Sequence, residues 1–286
     1  FAGNFTDKPW MEVDLSSPSA SPCSGNVYYA DTNFHGQNGS SPIVFSRSTD
    51  GGTTWSSPRT ISTGGQGGAS HNQGADIAVA PNGYLFVVWQ DARFSAGARD
   101  GIAVSRSIDG GLTWSAPLQI NSAPAVQAFT PSVHVRANGT IGVTYYDFRS
   151  NTSDPATLPT ELIFARSTDG VTWQENRLTA AFDMATAPFS RGLFIGDYHA
   201  LTSANNVFMP VYVRTNSGDT ANRTDVFAVA MRSLPLAAGP GETRAFRATA
   251  APVAQPDQAL RQRVHENLVR MMERRIPGWS QRLRAR

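Results

Sequence analysis

A chain of 286 residues with 16% charged residues, 25 Gly and 18 Pro has room for a sizeable core, and its profile excludes a disordered or fibrous protein. Its single cysteine, Cys23, excludes an internal disulfide and a cysteine-built metal site, and no run of about 18 apolar residues is present to span a membrane. The net charge of +2 is uneven: from Arg244 onward ten Arg stand against three acids (Asp257, Glu266, Glu273), whereas the preceding body carries 14 basic and 19 acidic residues.

In chain order, the first apolar runs are "DKPWMEVD", "GNVYYADTN" and "SPIVFSRS", followed by "TDGGTTW" and "SSPRTI". The same order returns as "GADIAVAP", "GYLFVVWQDAR" and "DGIAVSRS", then "IDGGLTW" and "SAPLQI". It returns again as "TPSVHVRA", "GTIGVTYYDFR" and "TELIFARS", then "TDGVTW" and "QENRLT". Asp50, Asp109 and Asp169 mark the three turns at spacings of 59 and 60 residues. Self-similarity at this period signals a propeller or a solenoid. The links "PNG" (81–83) and "ANG" (137–139) carry hairpin-turn chemistry. Strand, turn, strand within each unit gives four antiparallel strands, which is one propeller blade. A degenerate fourth unit reads "GDYHALTS", "NVFMPVYVRTN" and "DVFAVAMRS". The reading is an all-β propeller with blades at about 5–62, 71–121, 128–179 and 192–234. A sandwich would not repeat four strands around one fixed hairpin turn.

Residues 236–256 are Ala/Pro-rich and read as a linker. Pro256 and Asp257 then open a helix, and Leu260, Val264, Leu268, Met271, Met272 and Ile276 follow helical spacing. The basic segment 257–286 is read as a helical tail that docks on the propeller or on a second subunit, in a homo-oligomer or against a partner chain. An anionic surface and nucleic acid are its other candidate partners. The body has no basic stripe with interleaved aromatics, so no nucleic acid is expected there. The start at Phe1 is expected either of a processed chain or of part of a longer one.

The repeated Ser-x-Asp-x-Gly-x-Thr-Trp is complete at 48–55 and 107–114 and lacks one Gly at 167–173. It resembles the Asp-box, or bacterial neuraminidase repeat, of the sialidase-like propellers, and the resemblance covers residues 1 to about 235. In that family the box is structural and lies on the outer turn, away from the catalytic face. Here Asp50, Asp109 and Asp169 would accept turn N–H bonds, and Trp55, Trp114 and Trp173 would bury their rings. The resemblance implies six blades; four are recognisable. The family's Arg-Ile/Leu-Pro motif, which belongs in an early blade, is absent from the blades here.

Propeller geometry brings the starts of the inner strands and the b–c loops to one face, opposite the boxes. Strand starts supply Asp7, Lys8, His71, Asn72, Gln73, Asp76, Thr130, Asp197, Tyr198 and His199. The b–c loops supply Asp31, Asn33, Asp91, Arg93, Asp147, Arg149 and Arg214. Arg93, Arg149 and Arg214 could cluster around a carboxylate, with His71, Gln73, Asp76, His199 and Asp31 as further binding residues. A sialidase-like site implies a Tyr nucleophile with a neighbouring base and an acid. Tyr198 beside Asp197, with Asp91 or Asp147 as acid, are the candidates for those catalytic roles; Glu12 and Glu161 are possible partners for the phenol. The alternative for Asp91–Arg93 and Asp147–Arg149 is a pair of charges that only fixes the loop. The expected function is a glycoside hydrolase acting on sialic acid or another acidic sugar. A non-catalytic glycan- or protein-binding propeller and a polysaccharide lyase using His and Tyr are the other readings. No cofactor is expected, a structural Ca²⁺ is left open, and the expected location is secreted or periplasmic.

Overall fold

The computed structural model describes residues 5–35, 40–62, 71–190, 192–216 and 218–231. Their strands form four antiparallel sheets, the blades of a β-propeller. Blade one holds β1 (Phe5–Val13), β2 (Val27–Phe34), β3 (Ile43–Ser48) and β4 (Arg59–Thr60). Blade two holds β5 (Asn72–Val79), β6 (Leu85–Asp91), β7 (Gly101–Ser107) and β8 (Leu118–Gln119). Blade three holds β9 (Ala128–Val135), β10 (Ile141–Asp147), β11 (Pro159–Ser167) and β12 (Gln174–Arg177), and β13 (Phe182–Asp183) pairs with the start of β11. Blade four holds β14 (Ala200–Ala204), β15 (Val207–Thr215) and β16 (Thr224–Ala228). The expected linker 236–256 and tail 257–286 lie outside the described residues.

Alternation along each strand sends successive side chains to opposite faces. The core therefore sits between blades. Tyr28, Ala30 and Phe45 of blade one meet Ile77, Val87 and Trp89 of blade two. Phe86, Val88 and Val104 of blade two meet Val133, Val143 and Ile163 of blade three. Phe164 of blade three meets Leu201 and Phe208 of blade four. Among the described residues, blade one has no such cover on its other face: Met11 there is 57% exposed, whereas Ile77, at the same register in blade two, is 1% exposed.

The three repeated turns join β3 to β4, β7 to β8 and β11 to β12. Each is tied by its own side chains. Thr54 N–H donates to Asp50 Oδ1 (2.8 Å), Ser48 Oγ donates to the same oxygen (2.7 Å), and Trp55 Nε1 donates to Gly52 O (3.1 Å). Asp109 repeats the pattern with Thr113 and Ser107, and Trp114 Nε1 donates to Gly111 O (3.2 Å). Asp169 accepts from Ser167 and from the Thr172 N–H. The third turn lacks a Gly, and Trp173 Nε1 is left without an acceptor. The turns also lock blades together. Arg47 of blade one donates to Gly110 O (2.9 Å), and Arg106 of blade two donates to Asp169 O (3.0 Å). Phe45 packs edge-on against Trp114, with ring centroids 4.9 Å apart. Gly111 (φ 84°) leaves the space the Phe45 ring fills.

Candidate functional site

Register separates these turns from the strand-start candidates. Ser48 pairs with Val27 and Val27 with Val13, so the repeated turns stand at the end where β1 finishes. The start of β1 and the β2–β3 loop are at the other end. There the inner strands share a device that the sequence did not announce. In blade one, Lys8 and Pro9 stand opposite the single residue Asp31; in blade two, Gly74 and Ala75 stand opposite Trp89; in blade three, Thr130 and Pro131 stand opposite Tyr145. These are β-bulges at one structural position, and the first residue of each is left-handed: Lys8 φ 52°, Gly74 φ 74°, Thr130 φ 50°. A bulge of this kind re-aims a side chain, and in a non-Gly residue it stores strain. Neighbouring blades brace it. Thr32 Oγ1 accepts from the Gly74 N–H (3.0 Å), and Gln90 Oε1 accepts from the Thr130 N–H (2.9 Å).

Lys8 is the only lysine in the chain. It is 7% exposed. Its Nζ lies 5.3 Å from the centroid of the Tyr198 ring. Gly74 makes room for it, since a Cβ there would come within 3.2 Å of Nζ. Burial pulls the Lys8 amine below its ordinary pKa, and Asp197, Asp76 and Asp7 pull the other way. Asp76 is buried between blades; its Oδ2 accepts the Val133 N–H (2.9 Å) and its Oδ1 has no partner. Burial pushes its carboxyl up to about 7. Tyr198 is 54% exposed, and its phenol is raised by burial and by the charges of Asp7 and Asp197. Asp7 Oδ1 accepts the Lys8 backbone N–H (2.8 Å). His199 shares a hydrogen bond with Thr144 Oγ1 (3.0 Å) and turns edge-on to Tyr146. Burial, then the Lys8 charge, lowers its imidazole to about 3, so the ring is neutral. Asp76, Asp197, Tyr198 and His199 thus gather with Lys8 and Asp7. Lys8 has a signal in the sequence after all: a lone lysine among 24 basic residues, followed by proline at a strand start.

The other candidates are placed elsewhere. Arg93 Nε donates to Asp91 Oδ2 (2.6 Å), and its Nη2 donates to Ser62 O. Arg149 pairs with Asp147 (2.7 Å) and with Glu175 (3.1 Å), which also accepts from Tyr145 and Ser122. The Arg214 guanidinium lies against the Phe182 and Phe227 rings. Each arginine is committed within its own surroundings, so the expected arginine cluster is not what these contacts build. A buried carboxylate without a cation would be far costlier than an arginine withheld from a substrate. Asp91 and Asp147 are accordingly acceptors inside ion pairs. Asp31 is buried and accepts the Tyr29 hydroxyl (2.9 Å). His71 pairs with Asp100 (3.5 Å), and Gln73 sits beside Gln90 in the β5–β6 register. Glu161 is held by Arg177 (3.0 Å) and Ser150 rather than by a tyrosine. Glu12 lies near the far end of β1, opposite Tyr28. Glu175, unmarked in the sequence, becomes visible only as the third member of the Arg149 pair.

Two cavities lie away from this cluster. One, of about 430 Å³, is at the repeated-turn end and is lined by Tyr84, Asn138 and Asp169 among others. The other, of about 520 Å³, lies on the face of blade one away from blade two, beside Met11, Tyr29 and Trp55. Among the described residues, no group of three or more His, Cys, Asp or Glu is arranged to hold a metal ion. Among them, too, no helix is long and apolar enough to cross a membrane.

No curated protein matches the chain in sequence. Solved structures similar to it include an α-L-arabinofuranosidase from Fusarium graminearum, at 10% identity over 78% of this chain and 76% of that one, with a TM-score of 0.48. A leech intramolecular trans-sialidase is 16% identical over 77% of this chain and 30% of that one, with a TM-score of 0.45. A Penicillium chrysogenum α-L-arabinanase is 14% identical over 79% of this chain and 77% of that one, with a TM-score of 0.45. The family described as BNR repeat-like domain matches residues 33–222, which takes in all three repeated turns, and the chain belongs to that family.

Proposed function

We propose that the chain is a glycoside hydrolase whose site is the cluster at the axial end, and that it releases sialic acid or another acidic sugar from a chain end. The observation that carries this is the meeting of an exposed phenol, Tyr198, with the charges of Asp7, Asp197 and Lys8. In this reading Tyr198 Oη attacks the anomeric carbon. Asp7 takes the phenol proton, because a carboxylate that raises a phenol's pKa is also the base placed to receive its proton. Asp197 is the group that hands a proton to the departing oxygen; water then attacks the glycosyl–tyrosine bond with the proton flow reversed. The Lys8 ammonium receives the sugar carboxylate, a role open to it because Arg93 and Arg149 are already paired.

The test is release of fluorophore from sialosides, uronosides and, as neutral comparators, arabinosides. Turnover of an acidic glycoside that Tyr198→Phe reduces by about a thousandfold or more supports the assignment. Folded protein that turns over none of the panel overturns it. A second reading has a specific observation behind it: the carboxylate-clamping arginines are locked into ion pairs, which suits a propeller that binds glycan without cleaving it. Binding on a glycan array with no product formed would select that reading.

A further inference from the structure

Hydrolysis uses Lys8 only as a charge and leaves its amine chemistry unused. A buried ammonium is normally paired, because an unpaired one keeps little of the hydration it gives up. Among the described residues no hydrogen bond or ion pair holds Lys8 Nζ; its close neighbour is the Tyr198 ring face at 5.3 Å. The Tyr198 ring against which Nζ lies is 54% exposed, so the amine sits at the edge of solvent. The strained, left-handed backbone at Lys8, braced by Asp7 on its own N–H, aims the side chain across the end of blade two over Gly74. An amine held this way, reachable and without a fixed partner, has the properties of a nucleophile rather than of a structural cation.

We propose that Lys8 is a carbonyl-capturing amine, which condenses with a small 2-keto acid to form an imine. This goes beyond the hydrolytic reading and does not require it. The neutral amine adds through Nζ to the keto carbon, forming a C–N bond and a carbinolamine. The carbinolamine oxygen leaves as water, taking one proton from nitrogen and one from the surrounding carboxyls, and a protonated imine remains. Nothing is oxidised or reduced. Asp76, Asp7 and Asp197 are the groups near Lys8 that can carry the proton, and His199, buried and neutral, stays out of the exchange. A 2-keto acid fits better than a simple aldehyde. Its carboxylate is drawn to the ammonium beforehand and then lies next to the iminium nitrogen, so the charge that capture leaves behind is met by the ligand itself.

The single lysine makes the test clean. The full chain is incubated at pH 7 with pyruvate and cyanoborohydride, which reduces an imine to a stable secondary amine. Adducts are counted by intact-protein mass and located by peptide mapping, which separates Lys8 from the terminal amine of Phe1. The expected result is one adduct at Lys8, formed faster in folded protein than in urea, because burial lowers the amine's pKa and so raises its neutral fraction. Acetaldehyde should label Lys8 about tenfold more slowly than pyruvate. Lys8→Arg, which keeps the charge, should lose the internal adduct and fold normally by its unfolding midpoint. Labelling no faster in the folded state, labelling only at Phe1, or acetaldehyde matching pyruvate would overturn the proposal. Capture by a protein that hydrolyses no glycoside would overturn the hydrolytic reading alone.

Discussion

Asp76 should draw the stability of this protein down as pH rises from about 4 to about 7, while His199, held neutral at about 3 against 6.5, draws it up over much of the same range, so the Asp76 contribution is read by substituting that residue alone. The Asp76 carboxyl ionises at about 7 in the folded protein against 3.8 in the open chain, because it is wholly buried between blades two and three. The folded state therefore holds a proton that the unfolded state has released across that window. The raised value means that Asp76's contribution is intact below about 4 and is lost as pH climbs through about 7. The span corresponds to about 4 kcal/mol. Asp76→Asn carries the shape of the protonated acid: its carbonyl can still accept the Val133 N–H, and its amide takes the place of the carboxyl O–H. The variant should match wild type at pH 4 and exceed it by about 4 kcal/mol at pH 8, a large fraction of a domain's total. Urea unfolding of both proteins at pH 4, 6 and 8 measures the difference, and taking the difference cancels the titrating groups that do not interact with Asp76. Parallel curves, with a gap that does not grow with pH, would show that Asp76 ionises freely and that burial does not govern it.

Three further outcomes follow from other contacts. Arg149→Ala should cost about 3–5 kcal/mol, because it strands the buried Asp147 and the mostly buried Glu175; an unfolding midpoint equal to wild type would mean that the arginine is not structurally committed. Gly111→Ala should destabilise by about 2 kcal/mol or more, since it adds a Cβ at left-handed φ into the Phe45 ring, whereas Gly139→Ala, at φ 82° with nothing within 4 Å, should cost about 1 kcal/mol. Equal losses by thermal melting would sink that packing account. At the acid end, turn hydrogen bonds from Thr54 and Ser48 hold the Asp50 carboxyl down to about 2. At Asp109 burial pushes upward, but the Thr113 and Ser107 bonds win and bring it to about 2. A lowered carboxyl stabilises above about 4 and loses that contribution as pH falls toward 2. Asp109→Asn should therefore flatten the acid limb of the unfolding curve, and an unchanged limb would exclude the turn as its source.

Sequence alone was enough for the architecture, because its determinants are local. A strand's alternation, the "PNG" and "ANG" turns and the thrice-written Ser-x-Asp turn each act within about ten residues, and their repetition every 59 or 60 residues defines a blade whatever it packs against. The same locality fixes which strand ends lie opposite the repeated turns. Which polar ends converge there was decided by tertiary structure. Arg93 and Arg149 look like ligands for an anion until Asp91 and Asp147 are seen beneath them, and Glu175 reaches Arg149 from a strand 26 residues away. Lys8 reads only as one polar strand-start residue among several until a bulge turns it inward over Gly74 from the next blade. A side chain's charge state and partners depend on what other blades bury around it, and burial is a property of the assembled blades, which no single stretch of sequence contains.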